Sequence, residues 1–213
     1  MPKIVDPVAR RQEVVEAVFR IIAADGLERA SLREVADEAG LAVGSVRHYF
    51  AGSEELLVYS FAAVVDRVTG RLVAAREAMS GLAPGSPEHY EAVLTLLGEF
   101  LPLDEERAVE ACAWMAFKNA ARIKRYLAGE ADRSHRAVAA VVGQIVAELV
   151  VTELVDDDAG GHHMLVTEAE RLLATLDGLC MHALLQPEWM TAQMCRDVLE
   201  SHLAGMNARA RSR

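Results

Sequence analysis

Apolar residues recur at intervals of three and four along almost all of the 213-residue chain, and no stretch alternates with the two-residue rhythm of a half-buried strand. The pattern predicts an all-α protein. Asp6 followed by Pro7 reads as an N-cap with proline at the first helical position, opening a helix through about Ala24 that Asp25-Gly26 ends. Its expected buried stripe is Val8, Val15, Val18, Ile21 and Ile22. Ser31, three residues before Glu34, has the spacing of a capping box and opens a short helix that turns Leu32, Val35 and Ala36 inward and stops at Gly40. The turn Leu41-Ala42-Val43 leads into a second short helix, Gly44 to about Phe50, closed by Ala51-Gly52. Ser53 is expected to cap a long helix reaching about Met79, with Glu54 and Glu55 at its positive end. Beyond the loop containing Pro84 and Pro87, helices are predicted near 88–101, 104–128, 132–154, 164–185 and 191–206. Their breaks are Pro102, the Gly129 region, the loop from Asp156 to His163, and Pro187, and the basic end from Ala208 to Arg213 is expected to fray.

Composition adds bounds to this picture. With 52% apolar and 25% charged residues the chain supports a sizeable core, which excludes disorder and collagen-like repetition. A formal charge of −10 argues against coating nucleic acid by bulk positive charge, so any basic surface must be local. Cys112, Cys180 and Cys195 are odd in number, far apart and set among apolar residues, which suits reduced core thiols and a cytoplasmic protein. The longest apolar stretch, Ala137 to Val151, carries Gln144 and Glu148 and falls short of the roughly 18 residues of a membrane span. Glu13, Glu16 and Arg20 interrupt the first helix too often for a signal peptide.

Two short helices joined by a tight turn containing Gly have the layout of a helix-turn-helix, whose second helix enters the DNA major groove. From Ala39 through Gly52 there is no acidic residue, whereas Ser45, Arg47, His48 and Tyr49 offer hydrogen-bond donors to phosphates or base edges. Over residues 1–57 the net charge is nevertheless −3, so binding must use a patterned face. On pattern alone, a plain αα-hairpin packed on a bundle remains the alternative.

The stretch Ser31-Leu-Arg-Glu-Val-Ala-Asp-Glu-Ala-Gly40, then Val43-Gly-Ser-Val-Arg-His-Tyr-Phe50, then Glu54-Glu-Leu-Leu57 resembles the DNA-binding domain of TetR/AcrR-type transcriptional regulators. The resemblance implies a helix-turn-helix domain over 1–52, a helical effector-binding and dimerisation domain over 53–213, and a homodimer on a roughly palindromic operator. It places Ser45 and Val43 at base-facing positions, Arg47 where the family usually has a phosphate-contacting tyrosine, and Tyr49 where it often has His. Ser53 stands where a lysine is common and Ala42 where a Ser or Thr caps the recognition helix. The expected DNA-facing set is Ser31, Arg33, Val43, Ser45, Arg47, His48, Tyr49 and Ser53.

In the same reading the remainder binds a small apolar or amphipathic effector that tilts the long helix from Ser53 and releases DNA, making the protein a repressor. Phe61, Phe100, Trp114 and Phe117, with Asn119 and Gln144 as polar groups, are the candidate pocket, although aromatics at helical spacing equally well form plain core. Leu172, Leu176, Cys180, Cys195, Val198, Leu199 and His202 on the last two helices are the candidate dimer face or, alternatively, the monomer's own core.

No catalytic motif, cofactor loop or metal site is expected. The run Asp156-Asp-Asp158 fails as a calcium loop because Gly160 and Thr167 stand where ligands are needed, and His162 and His163 lack a cysteine partner. The competing functional class is a helical-bundle small-molecule binding protein or enzyme whose first helices are structural only.

Overall fold

The computed structural model describes residues 7–150 and 159–211, with side chains described outside 151–161 and 207–213. The expected cap at Asp6 and the acidic run Asp156–Asp158 lie outside the described residues, as do the side chains of the basic end from Ala208. The helices are α1 Pro7–Asp25, α2 Leu32–Glu38, α3 Val43–Tyr49, α4 Ser53–Ala78, α5 Pro87–Gly98, α6 Glu105–Ala121, α7 Ala128–Val150, α8 Ala159–Leu185 and α9 Ala192–Arg211. Short 3₁₀ turns occupy Leu27–Arg29 and Arg125–Leu127, and among the described residues there is no strand. The all-α expectation is borne out.

Three boundaries differ from the sequence reading, one of them the end of α9, whose backbone stays helical to Arg211 instead of stopping near 206 and fraying from Ala208. The helix expected over 104–128 ends at Ala121, and the break lies at Arg122–Lys124 rather than at Gly129, which sits in the first turn of α7. Ile123 and Lys124 both donate their amides to the Ala120 carbonyl, at 2.9 and 2.8 Å, closing the helix. The turn leaves Ile123 76% exposed but buries Leu127 completely, a long-range gain that local helix propensity does not report. The third difference is α8, which takes in His162 and His163 because its apolar stripe already begins at the buried Met164.

By packing, the chain divides into two compact units. The first comprises Met1–Arg67 and Ala108–Arg133. Its core joins Val15, Val18, Phe19, Val35, Ala36, Val46, Phe50, Leu56 and Phe61 to Phe117, Ala120 and Leu127 from the second stretch. Phe61 and Phe117 stack with ring centroids 5.0 Å apart. The core therefore continues past the 52/53 boundary that the family resemblance implies, taking in Leu56 and Phe61. Val8 is 71% exposed, contrary to expectation, because α1 buries Val14, Ala17 and Phe19 further along instead. Arg67 lies over the Phe19 ring at 5.1 Å and bonds Glu16 on α1 and the buried Glu110 on α6, the latter at 3.3 Å. Burial opposes the Arg67 charge, yet the bonds to Glu16 and Glu110 outweigh it and hold the guanidinium above its ordinary pKa.

The second unit comprises Val68–Arg107 and Ser134–Arg213. Its core draws Leu72 from α4, Val93, Leu96 and Leu97 from α5, Ile145 and Val146 from α7, and Leu172, Leu176, Cys195, Leu199 and Leu203 from α8 and α9. The α4–α5 connection is tied down by His89, whose Nδ1 accepts from the Gly85 amide and whose Nε2 lies 3.5 Å from Glu148. Glu148 also receives both guanidinium nitrogens of Arg76, and this bond, reinforced by His89, holds its carboxyl below the ordinary range despite partial burial.

Candidate nucleic-acid interface

α2 starts where Ser31, in extended backbone, accepts the Glu34 amide on its Oγ at 3.2 Å. Only half of the capping box forms. The Ser31 amide donates instead to the Arg29 carbonyl at 2.7 Å, and the Glu34 carboxylate faces Arg29 at 3.4 Å. α2 ends in a Schellman arrangement: the Leu41 amide reaches the Ala36 carbonyl at 2.8 Å and the Gly40 amide reaches that of Asp37 at 3.2 Å. This needs the left-handed backbone of Gly40, whose φ is +66°, a conformation costly for any residue with a Cβ. The bend turns the chain directly into α3.

Ala42 occupies the N-cap of α3 and supplies no side-chain bond. α3 is held by burial of Val46 and of its C-cap Phe50, with Val43 and Tyr49 half-buried against the same core. That fixes the opposite face: Ser45, Arg47 and His48 are exposed. His48 and Tyr49 meet edge to face with centroids 5.3 Å apart. At the start of α4 the Leu56 amide bonds the Gly52 carbonyl, so Gly52 is the N-cap and Ser53, expected as the cap, is the first helical residue. The Glu55 carboxylate accepts the Ala51 amide at 2.7 Å and closes the turn between α3 and α4.

Electrostatics sharpen the face. Glu38 is paired with Arg20 at 2.6 Å and Glu34 with Arg29, so these two acids of α2 are neutralised by other arginines. Arg33 and Arg47 are exposed and, among the described residues, have no carboxylate partner. Arg11, which the sequence reading did not single out, is exposed on α1 with its guanidinium 5.9 Å from the Phe50 ring and 5.7 Å from the Tyr59 ring. Its only signal in sequence is a pair of adjacent arginines. Ser31 and Ser53 are exposed as well, so six of the eight nominated residues reach solvent freely while Val43 and Tyr49 anchor the helix.

The nominated effector residues do not gather in either unit. Phe61 and Phe117 are completely buried against each other, Trp114 packs on the same core, and Asn119 is exposed. Phe100 and Gln144 belong to the other unit, where Gln144 is exposed. Of the nominated dimer residues, Leu172, Leu176, Cys180, Cys195 and Leu199 are buried within their own chain. Val198 and His202 instead line an open cavity of about 460 Å³ with Arg171, Thr175, Asp197 and Ser201. There His202 Nδ1 lies 3.0 Å from Thr175 Oγ1. Among the described residues no cluster of three or more His, Cys, Asp or Glu is arranged for a metal, and no helix is long and apolar enough to cross a membrane.

An exposed polar and cationic face on the second of two helices, fixed from behind by buried apolar residues and cleared of acids, defines a helix-turn-helix DNA-binding regulator. The comparisons place it further. Residues 14–59 match bacterial regulatory proteins of the tetR family, and residues 89–208 match the C-terminal region of BetI-type transcriptional repressors. The chain belongs to the TetR family of transcriptional regulators and not to a family of enzymes. It is 36% identical over 205 residues to the HTH-type transcriptional regulator PksA of Bacillus subtilis, covering 95% of this chain and 92% of that protein. A transcriptional regulator from Rhodococcus sp. Rha1 superposes with a TM-score of 0.76 at 26% identity, covering 94% of this chain and 97% of that one. The multidrug binding protein EbrR, solved with ethidium, gives 0.60 at 26% identity over 91% of this chain and 97% of its own.

Proposed function

We propose that the protein is a cytoplasmic repressor that binds a palindromic operator as a homodimer and is released by a small apolar or amphipathic effector. The observation that carries the DNA-binding part is the open charge of Arg33 and Arg47 beside a recognition helix that carries no acid, with nearby Glu34 and Glu38 paired to other arginines. Arg47 contacts phosphate, Ser45 and Val43 face base edges at the start of the recognition helix, and His48 and Tyr49 pack on the sugar-phosphate strand. Ser31, Arg33 and Ser53 position the motif on the backbone. A twofold interface suits the outward face of α8 and α9, where Val166, Met181, Leu185 and Met194 are exposed. The effector class is supported by EbrR, named a multidrug binding protein and solved with the amphipathic dyes ethidium and malachite green.

Operator and effector must weaken each other by the same factor, since coupling between sites is reciprocal. The first test is fluorescence anisotropy on the DNA upstream of the protein's own gene, in a salt series with random DNA as competitor. Competitor-resistant binding lost in Arg47→Ala supports the reading. Binding no better than to random duplex, unchanged by that substitution, overturns it.

A further inference from the structure

Outside the helix-turn-helix, the segment from Lys118 to Tyr126 carries Lys118, Arg122, Lys124 and Arg125 without an acid, in a chain of net charge −10. The end of α6 places it at the surface of the first unit, because Ala120 and Leu127 on either side are drawn into the core that also holds Val35, Ala36 and Val46. Arg122 and Arg125 are exposed and have no carboxylate partner among the described residues. Lys124 is anchored: its Nζ lies 3.1 Å from Glu28, in the 3₁₀ turn just before Ser31. The Glu28 bond raises its pKa, with a smaller contribution from Glu54, which adjoins Ser53 at the start of α4. The cluster thus sits beside the start of α2, which is expected to hold the DNA backbone.

In the second unit the arginines with described side chains are engaged, including Arg76 with Glu148, Arg107 with Asp104 and Glu99, and Arg196 with Glu91 and Glu200. Among the residues with described side chains, cations left open at the surface are therefore confined to the unit that carries the recognition helix. Unpaired guanidinium groups in an otherwise acidic protein fit a polyanion, whose counterions they displace on binding.

We infer that Arg122 and Arg125, positioned by the Lys124–Glu28 contact, form a second phosphate-contacting surface that engages duplex DNA outside the reach of the recognition helix. This rests on the recognition-helix reading above. Phosphate contact makes the contribution independent of sequence. Lys124 is a positioning residue: it holds the turn and neutralises the acid nearest the backbone.

The test uses the full chain and a fluorescein-labelled random-sequence duplex of about 30 base pairs, with affinity followed across a salt series by anisotropy. Arg122→Gln with Arg125→Gln is expected to flatten the dependence of log affinity on log salt by about two per bound protomer, and to weaken binding at least roughly tenfold near 0.1 M salt. Arg122→Lys with Arg125→Lys, which keeps the charge, is expected to restore the slope. Unchanged slope and affinity in the Gln pair, with thermal unfolding also unchanged, overturns the inference, as does loss that the Lys pair fails to rescue. Arg47→Ala in the same series separates the two readings: if it weakens binding while the Gln pair does not, only the second surface is refuted.

Discussion

The two packed units treat charge in opposite ways. The first holds thirteen Lys and Arg against fourteen Asp and Glu, and the second nine against eighteen. The nearly balanced unit nevertheless exposes arginines at positions 33, 47, 122 and 125 with no carboxylate partner among the described residues, while the strongly acidic unit ties Arg71, Arg76, Arg107, Arg171 and Arg196 to carboxylates. Net charge is thus a poor guide to where a polyanion binds; what matters is which cations are left without a partner. The difference also separates roles: pairs such as Arg67–Glu110 and Arg76–Glu148 fix helices to one another, and the arginines without a carboxylate are the ones proposed to meet phosphate.

The comparison breaks most severely at Phe117. This α6 residue lies far in sequence from the recognition helix yet fills its core, so Phe117→Ala is expected to cost about 3–5 kcal/mol in urea unfolding and to lower DNA affinity with it. A loss confined to effector response would contradict the shared core. Next in size, Arg67→Met removes the bonds to Glu16 and to the buried Glu110 and should destabilise by about 2–3 kcal/mol, less than loss of a fully buried pair because Arg67 retains some solvent contact. Arg47→Ala sharpens the contrast from the other side: operator and random DNA should both weaken by roughly tenfold, the salt slope should fall by about one, and melting should not move.

The second unit supplies a pH signature. The Glu148 carboxyl is held low by Arg76, so its stabilisation is complete above the ordinary glutamate range and disappears as pH falls through that range toward the depressed native value. Unfolding midpoints measured from neutral to acid pH should show this loss, and Glu148→Gln should flatten that part of the profile. The smallest effect is expected at the uncapped recognition helix, where Ala42→Ser should stabilise by about 0.5–1 kcal/mol in thermal melts.

Local signals were legible in the sequence. Ser31, Glu34 and Gly40 delimit α2 through bonds within a few residues of one another, and the run without acids around Arg47 marks the DNA-facing helix before any packing is known. Ser53 is a good cap by type and is the residue the sequence predicts at the start of α4, while the actual bonds use the Gly52 carbonyl and the Glu55 carboxylate. The break after Ala121 was invisible because Arg122, Ile123 and Lys124 contain neither Gly nor Pro, and only the burial of Leu127 at long range decides it. Periodicity marks apolar stripes on α8 and α9 but cannot say whether Leu172 or Leu199 meets its own chain or a partner. The same ambiguity turned Phe61 and Phe117 from candidate pocket walls into stacked core.

The discontinuity of the first unit bears on when the protein becomes active during its synthesis. The recognition helix leaves the ribosome well before Phe117, Ala120 and Leu127, and the hydrophobic core behind that helix is complete only once they have joined it. A growing chain therefore acquires a rigid recognition surface only after Leu127 has been translated. Nascent fragments carrying the motif alone are expected to hold no grip on the chromosome.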